Sequence, residues 1–486
     1  MSRSSEWIEA FRGRKLVVFG DVMLDRYTFG DSTRISPEAP APVFKAERVD
    51  AMIGGAGNVA RNIVSLGGKA VLIGAIGADA AGRELQAAIE AEDGLSAALA
   101  INADMRTAVK NRYVAKNQQM LRVDEEDVGD QPDSVVADMM SSLATALDGA
   151  SALVISDYAK GVLTEDAIAR ACALASDRNL PVVVDPKARD LSRYRGASVV
   201  TPNAKETEEA TGQSCVSDAG AEAAARAIAQ QVGCPMVVVT RGPQGMTVRN
   251  ADDGITHLPT AAQEVFDVSG AGDTVVAALS LGLGSGLAVE DAAELANRAA
   301  GVVVAKVGTA TVSAAELHIA MHGTGPDGRL TVSLDGAVAA TRAWQAQGQS
   351  VVFTNGCFDL LHPGHVSLLG FAREQGDKLI VAINSDASVK RLKGPSRPVQ
   401  DEDSRALVME ALRFVDLVVI FNEDTPLEAI TAIQPDVLVK GADYKPGDVV
   451  GGNVVTGRGG RIALAPLVDG QSTTAAIARA NGPENV

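Results

Sequence analysis

Two short runs in this 486-residue sequence combine residue types and spacing suited to phosphate chemistry. In Asp267-Val-Ser-Gly-Ala-Gly-Asp-Thr274, the small residues Gly270, Ala271 and Gly272 stand directly before Asp273 and a long apolar stretch. At a helix start such residues let backbone N–H groups converge on an anion, and the positive helix end adds to the attraction. A cradle of this kind neutralises a phosphoryl group in transfer. Asp273 beside it can take the proton of an attacking hydroxyl; the helix end is expected to keep its pKa low, so that it acts late, as the hydroxyl becomes acidic. The second run, Thr354-Asn-Gly-Cys-Phe-Asp-Leu-Leu-His-Pro-Gly-His365, sets His362 and His365 three residues apart around Pro-Gly. On a first helical turn both imidazoles can face one point at the positive end. That suits an α-phosphate attacked by another phosphate, a reaction that needs alignment and charge stabilisation more than a base. Each run alone also has a plainer reading. GAGD can be a turn with Asp in the first helical turn; HxxH can be a pair of capping histidines, or with Cys357 a metal pair that lacks a convincing fourth ligand.

Short β-rich runs position these residues. From Lys15 onward LVVFG, VLIGAIG, ALVISD, PVVVDP, SVVTPN and MVVVTRG alternate with Ala-rich stretches of helical spacing. Buried parallel strands joined by crossover helices give that pattern, an α/β sheet. Two stretches, roughly residues 26–52 and 105–127, alternate polar and apolar residues instead and predict a small sheet standing off the main one as a lid. Gly and Pro gather in MHGTGPDGR near residue 321, after which strands restart at VVFTNG, KLIVAIN, LVVIF, DVLVKG and RIALAPL. Two domains are therefore expected, 1–325 and 326–486.

Composition narrows the function. Lys and Arg total 44 against 61 Asp and Glu, a formal net charge of -17 that repels nucleic acid in general yet permits a local phosphate pocket. Aromatic residues are only 3%, too few for stacking platforms along a single strand. The cysteines Cys172, Cys215, Cys234 and Cys357 lack paired spacing, which fits a reducing cytoplasm rather than a disulfide framework or a zinc knuckle. The N-terminus has no signal-peptide pattern, and the longest uncharged segment, residues 274–289, is too short and too rich in Gly and Ser to span a membrane; it reads as a buried helix.

Context around the first run comes from Gly54-Gly-Ala-Gly-Asn-Val-Ala60 upstream and Thr201-Pro-Asn-Ala-Lys-Glu206 after a strand. Their order resembles the ribokinase-like carbohydrate kinase family. The resemblance implies a three-layer fold with a small β lid, Asp273 as catalytic base, and Gly270, Ala271 and Gly272 as anion hole. It further implies Asn203, Ala204, Lys205 and Glu206 at ATP, with Asn203 and Glu206 organising magnesium indirectly. Thr240 and Gly242 would lie beside the nucleotide, and Asp21, Gly54, Gly55 and Asn58 would contact the sugar. Val268 departs from the Thr common in the family. Gly55 to Ala60 also fits the looser GxGxxA dinucleotide fingerprint, but follows no convincing strand. No Walker A sequence occurs.

The second run resembles the cytidylyltransferase-like nucleotidyltransferase family, which implies a Rossmann-like domain. Thr354, Gly356, Phe358, His362 and His365 would then bind and activate a nucleoside triphosphate. Ser472, Thr473 and Thr474 would hold its β and γ phosphates, and Lys393 and Lys440 would add positive charge, although either lysine can also be a solvated surface residue. Both halves in this order resemble the bifunctional enzymes of ADP-heptose synthesis for the lipopolysaccharide core in Gram-negative bacteria. The implied reactions are phosphorylation of D-glycero-β-D-manno-heptose 7-phosphate at C1 with ATP, and AMP transfer from ATP to heptose 1-phosphate with release of pyrophosphate. A separate phosphatase must act in between, so direct channelling is not expected. A homodimer through the lid is implied. The sugar's 7-phosphate needs a cation, for which Arg34, Lys45, Lys110 and Arg112 on the lid are candidates. Another sugar phosphate with another nucleotide such as CTP stays open, because no motif reads the base. So does a sugar-phosphate sensor or scaffold without turnover.

Overall fold

Valine-rich runs buried on both faces set the first sheet. Leu16, Val17, Val18 and Phe19 are fully buried in the strand Lys15–Gly20, which pairs in parallel with Lys69–Gly77 on one side and Ala152–Ser156 on the other. The computed structural model describes residues 3–115, 118–262, 265, 267–306, 308–322, 331–346, 348–442 and 448–466. It divides into two units, Ser2–Leu317 and His318–Val486. The division precedes the expected 325/326 boundary and falls within the helix Ala314–His322.

The first unit has a nine-stranded sheet in the order Ile255–Leu258, Met246–Arg249, Met236–Thr240, Val199–Val200, Val182–Asp185, Ala152–Ser156, Lys15–Gly20, Lys69–Gly77, Leu95–Asn102. Met246–Arg249 runs antiparallel to Met236–Thr240, and Ile255–Leu258 folds back antiparallel on it. The expected buried helix is Ala271–Gly284, in which every residue from Asp273 to Gly282 is buried. A second, amphipathic helix, Val289–Val303, follows it.

A four-stranded lid sheet has the order Pro42–Gly55, Val22–Ile35, Ala108–Ala115, Gln118–Glu125. Register separates its faces. Asp25 lies opposite Lys110 and Tyr27 opposite Arg112, whereas Thr28 lies opposite both Val49 and Tyr113, and Tyr113 opposite Leu121. One face is thus charged. The other shows exposed Val49, Leu121 and Val123 beside an edge-to-face Phe44–Tyr113 pair with centroids 5.5 Å apart.

The second unit is a six-stranded parallel sheet, Thr331–Val332, Leu417–Phe421, Lys378–Asn384, Val351–Gly356, Val437–Gly441, Arg461–Ala465. Alternate residues of each strand enter the apolar cores on its two faces, Val351 and Phe353 on one side and Val352 on the other. The five expected strands are all present. The edge pair Thr331–Val332 is an addition, too short to carry a pattern of its own.

Candidate active sites

The lid strand Pro42–Gly55 runs straight into the helix Ala56–Ser65, so Gly55 does follow a strand, contrary to the sequence expectation. The expected lid stretch stopped near Met52, short of the strand's end at Gly55. Gly55 has φ +60, and a Cβ there would lie 2.5 Å from the Asp21 carbonyl oxygen; a Cβ on Gly54 would lie 2.4 Å from Asp25 Oδ2. Only glycine suits this entry. One turn on, fully buried Asn58 donates from Nδ2 to Asp273 Oδ2 at 2.6 Å, across a sequence separation of 215 residues. Asn58 Oδ1 is buried and has no hydrogen-bond partner among the described residues.

Asp273 stands in the first turn of Ala271–Gly284, whose N-cap Gly270 has φ 78. Its Oδ1 accepts from the Tyr158 hydroxyl at 2.6 Å. The expected low pKa is overturned: burial pushes it up to about 6, against the opposing hydrogen bonds of Asn58 and Tyr158. At full burial desolvation exceeds what a helix end supplies. Asp21 is also buried, but its oxygens accept the backbone N–H groups of Tyr158, Lys160 and Val162 at 2.8, 3.1 and 3.2 Å. It fixes the loop that carries Tyr158.

A cleft of about 180 Å³ joins Asp273, Gly270 and Gly272 to Asn203, Glu206 and Thr240. Asn203 caps the helix Ala204–Thr211 in a reciprocal box with Glu206: each accepts the other's backbone N–H at 3.0 Å. Glu206 also pairs with Lys187 at 3.0 Å. Ala204 and Lys205 form the first turn, with Lys205 turned to solvent and 3.8 Å from Glu209. Gly242 opens a short 3-10 turn after Thr240 and does not line the cleft. Of the four lid cations, Arg34 and Lys45 are exposed at the far end of their strands. Lys110 is half-buried, 5.2 Å above the Tyr158 ring centroid, and Arg112 pairs with Asp25 at 2.7 Å.

In the second unit Val351–Gly356 delivers the histidine run. His362 is the N-cap of the helix Pro363–Arg373 with Pro363 at its first position. The His362 and His365 rings stack at 3.7 Å between centroids, and Phe358 meets His365 edge-on at 5.0 Å. Phe358 is buried at φ 44, close over Gly356, where a Cβ would come within 3.1 Å of the ring. Burial, then the His362 and Lys393 charges, lower His365 to about 4; burial also lowers His362. Both imidazoles are neutral at neutral pH. Thr354 is buried and donates to the Val439 carbonyl at 3.1 Å, locking its strand to Val437–Gly441, which carries Lys440. Lys440 reaches the Asn355 carbonyl at 3.3 Å, and Lys393 ends the helix Asp386–Lys393. Ser472, Thr473 and Thr474 lie outside the described residues.

Four contributors escaped sequence reasoning. Tyr158 and Asp185 follow or end parallel strands at their carboxyl ends, the edge where open α/β sheets bind ligands, and that position was the available signal. Fully buried Arg405 donates to the carbonyls of Cys357, Asn384 and Gln400 at 2.7, 2.8 and 3.1 Å and pairs with Asp386 at 2.7 Å. It braces the turn before the histidines. Asp359, paired with Arg397, accepts the N–H groups of Val399 and Gln400 at 2.7 and 3.2 Å. Burial would raise it, yet these partners hold it below the ordinary carboxylate range.

Known proteins match both units. Residues 14–316 match the pfkB family carbohydrate kinase, and residues 353–455 match the cytidylyltransferase-like family. Escherichia coli phosphofructokinase-2, solved in complex with potassium, has a TM-score of 0.54 and 21% identity over 63% of this chain and 97% of its own. Arabidopsis thaliana ribokinase, complexed with ribose and ATP, gives 0.51 and 17% over 64% and 99%. Both speak for the ribokinase-like fold alone. The bifunctional protein HldE of Caulobacter sp. (strain K31) is 52% identical over 98% of this chain and 97% of its own, and that of Paramagnetospirillum magneticum 48% over 99% of each. Likeness that covers nearly the whole chain, with Asp273 at a helix start in one unit and a stacked histidine pair in the other, means that the chain belongs to the HldE family.

Proposed function

We propose that each unit performs one half-reaction of this family with the residues assembled above. The chain is a kinase and a nucleotidyltransferase of ADP-heptose synthesis. In the first unit the C1 hydroxyl of D-glycero-β-D-manno-heptose 7-phosphate approaches Asp273, which takes its proton as the oxygen attacks the γ-phosphorus of ATP. The N–H groups at Gly270, Ala271 and Gly272 receive the developing charge. The unpartnered Oδ1 of Asn58 offers an acceptor to a sugar hydroxyl, next to the Asn58 Nδ2 that holds the base. The observation that carries this reading is Asp273 itself, buried at a helix start and gripped by groups from two other segments.

Lys110 and Arg112 are the anchors for the 7-phosphate, since they alone of the four lid cations are tied to the charged face, through Tyr158 and Asp25. Magnesium fits the cleft as companion of the triphosphate. Burial, and then the Asp273 and Glu206 charges, push Asp185 well above its ordinary range, an excess of negative charge that a divalent ion relieves. Asn203 and Glu206, with Asp185 beside them, would hold it through water; it would neutralise the β and γ oxygens. Among the described residues no group of three His, Cys, Asp or Glu can ligate a metal unaided.

In the second unit His362 and His365 hold the α-phosphate of ATP while heptose 1-phosphate attacks and pyrophosphate leaves, with Lys393 and Lys440 supplying charge from strand and helix ends. Neutral imidazoles donate hydrogen bonds without drawing a proton from the reaction. We assign the chain to the cytoplasm, which suits its scattered cysteines, and to a dimer through the apolar lid face. No helix among the described residues is long and apolar enough to cross a membrane. A phosphatase separates the two steps, so no direct handover occurs. Phosphorus NMR of the full chain with ATP, magnesium and heptose 7-phosphate tests the scheme: pyrophosphate should appear only after a phosphatase is added. Pyrophosphate without phosphatase would refute the order.

A further inference from the structure

Both oxygens of Asp273 are already engaged before any sugar arrives. Asn58 holds Oδ2, and the Tyr158 hydroxyl holds Oδ1 at 2.6 Å. A carboxylate has further lone pairs, but Asp273 is 5% exposed and opens onto the narrow cleft that it shares with Gly270, Gly272 and Asp185. Asn58 closes one side. Asp25 and Lys110 face it from the lid, Asp185 from the end of the strand Val182–Asp185, and Tyr158 from the loop fixed by Asp21. Tyr158 is therefore held from three sides: its N–H on Asp21, its ring under the Lys110 ammonium, and its hydroxyl on the base.

We infer that Tyr158 guards the kinase base: its hydroxyl occupies the oxygen of Asp273 that the sugar's C1 hydroxyl must take, and withholds that oxygen from water until a sugar displaces it. The inference rests on the assignment of Asp273 as base. The side reaction it suppresses is balanced: a water proton passes to Asp273 Oδ1, the water oxygen bonds to the γ-phosphorus, the bond from that phosphorus to ADP breaks, and ADP and phosphate leave. The sugar hydroxyl does the same chemistry but also brings the binding groups of its ring and its phosphate. Those contacts offset the lost tyrosine hydrogen bond, whereas a lone water has nothing comparable to offer.

Tyr158→Phe removes only the hydroxyl. In the full chain, ADP release without sugar should rise about tenfold, and the acid limb of sugar phosphorylation should move up by about one pH unit, the scale of one hydrogen bond to a charged carboxylate. A purely structural tyrosine would move neither. A thermal melt of the first unit unchanged from the wild-type chain reports that the variant is folded, and pyrophosphate release by the second unit should be unchanged. On the wild-type chain labelled with carbon-13 at tyrosine Cζ, heptose 7-phosphate should shift the Tyr158 signal and its 1-deoxy analogue should not. Unchanged sugar-free ADP release together with an unmoved acid limb would overturn the guard, as would equal shifts with both sugars. Phosphorylation surviving Asp273→Asn would overturn the base assignment and the guard with it; loss in Asp273→Asn with an inert Tyr158→Phe would overturn the guard alone.

Discussion

Asp273 links catalysis to stability with a definite sign. In the fold its pKa is raised from 3.8 to about 6, so the native state binds a proton that the unfolded chain has already released. The associated stability is complete below about 3.8 and is lost as pH rises through about 6. Asp273→Asn should therefore abolish sugar phosphorylation and raise the melting temperature of the first unit at pH 7.5 by a few degrees, with little gain at pH 4. Differential scanning calorimetry at the two pH values checks this. Phosphorylation by the wild-type chain should fall as pH drops through about 6, the value at which the base takes up its proton. His365 moves the other way. Lowered to about 4, it should titrate there in a proton NMR series of the ligand-free chain rather than near 6.5. His365→Ala should cut pyrophosphate release by roughly a hundredfold, as loss of a charge-stabilising donor does elsewhere.

At the scale of elements, Gly55 and the outer lid face are the sharpest tests. Ala at Gly55 must accept φ +60 and a Cβ 2.5 Å from the Asp21 carbonyl, so Gly55→Ala should destabilise the first unit by about 1–3 kcal/mol and impair phosphorylation. Thermal melts and kinase assays measure both. Leu121→Glu places a charge on the apolar lid face and should shift the proposed dimer toward monomer, as read by sedimentation. Much of this was legible beforehand because parallel strands buried on both faces leave continuous apolar runs, such as LVVFG and VVVD, that composition alone exposes. The lid was legible only in outline: it begins at Val22, directly after Asp21, where buried Val22, Met23 and Leu24 read as a continuation of the main strand. Local signals likewise pointed to Asp273 and the histidine pair as candidates. They could not give Tyr158 or Arg405, whose partners are 115 residues and 48 residues away in sequence, nor the burial that reverses the Asp273 pKa. Desolvation depends on what folds over a group, and neighbours in sequence do not record it.

Across the whole molecule the two sites draw on separate units, each with its own sheet and core. Asp273→Asn should silence one activity and spare the other. The first unit has one economy of construction. Strand Pro42–Gly55 and helix Ala56–Ser65 are a single uninterrupted stretch, with Met52 on the lid and Asn58 at the base only six positions apart in the sequence. The cover and the proton acceptor's clamp are consequently one lever. Tilting the sheet turns the root of that helix, so a second copy gripping the sheet from outside would steady the carboxylate inside without any chain of intervening contacts.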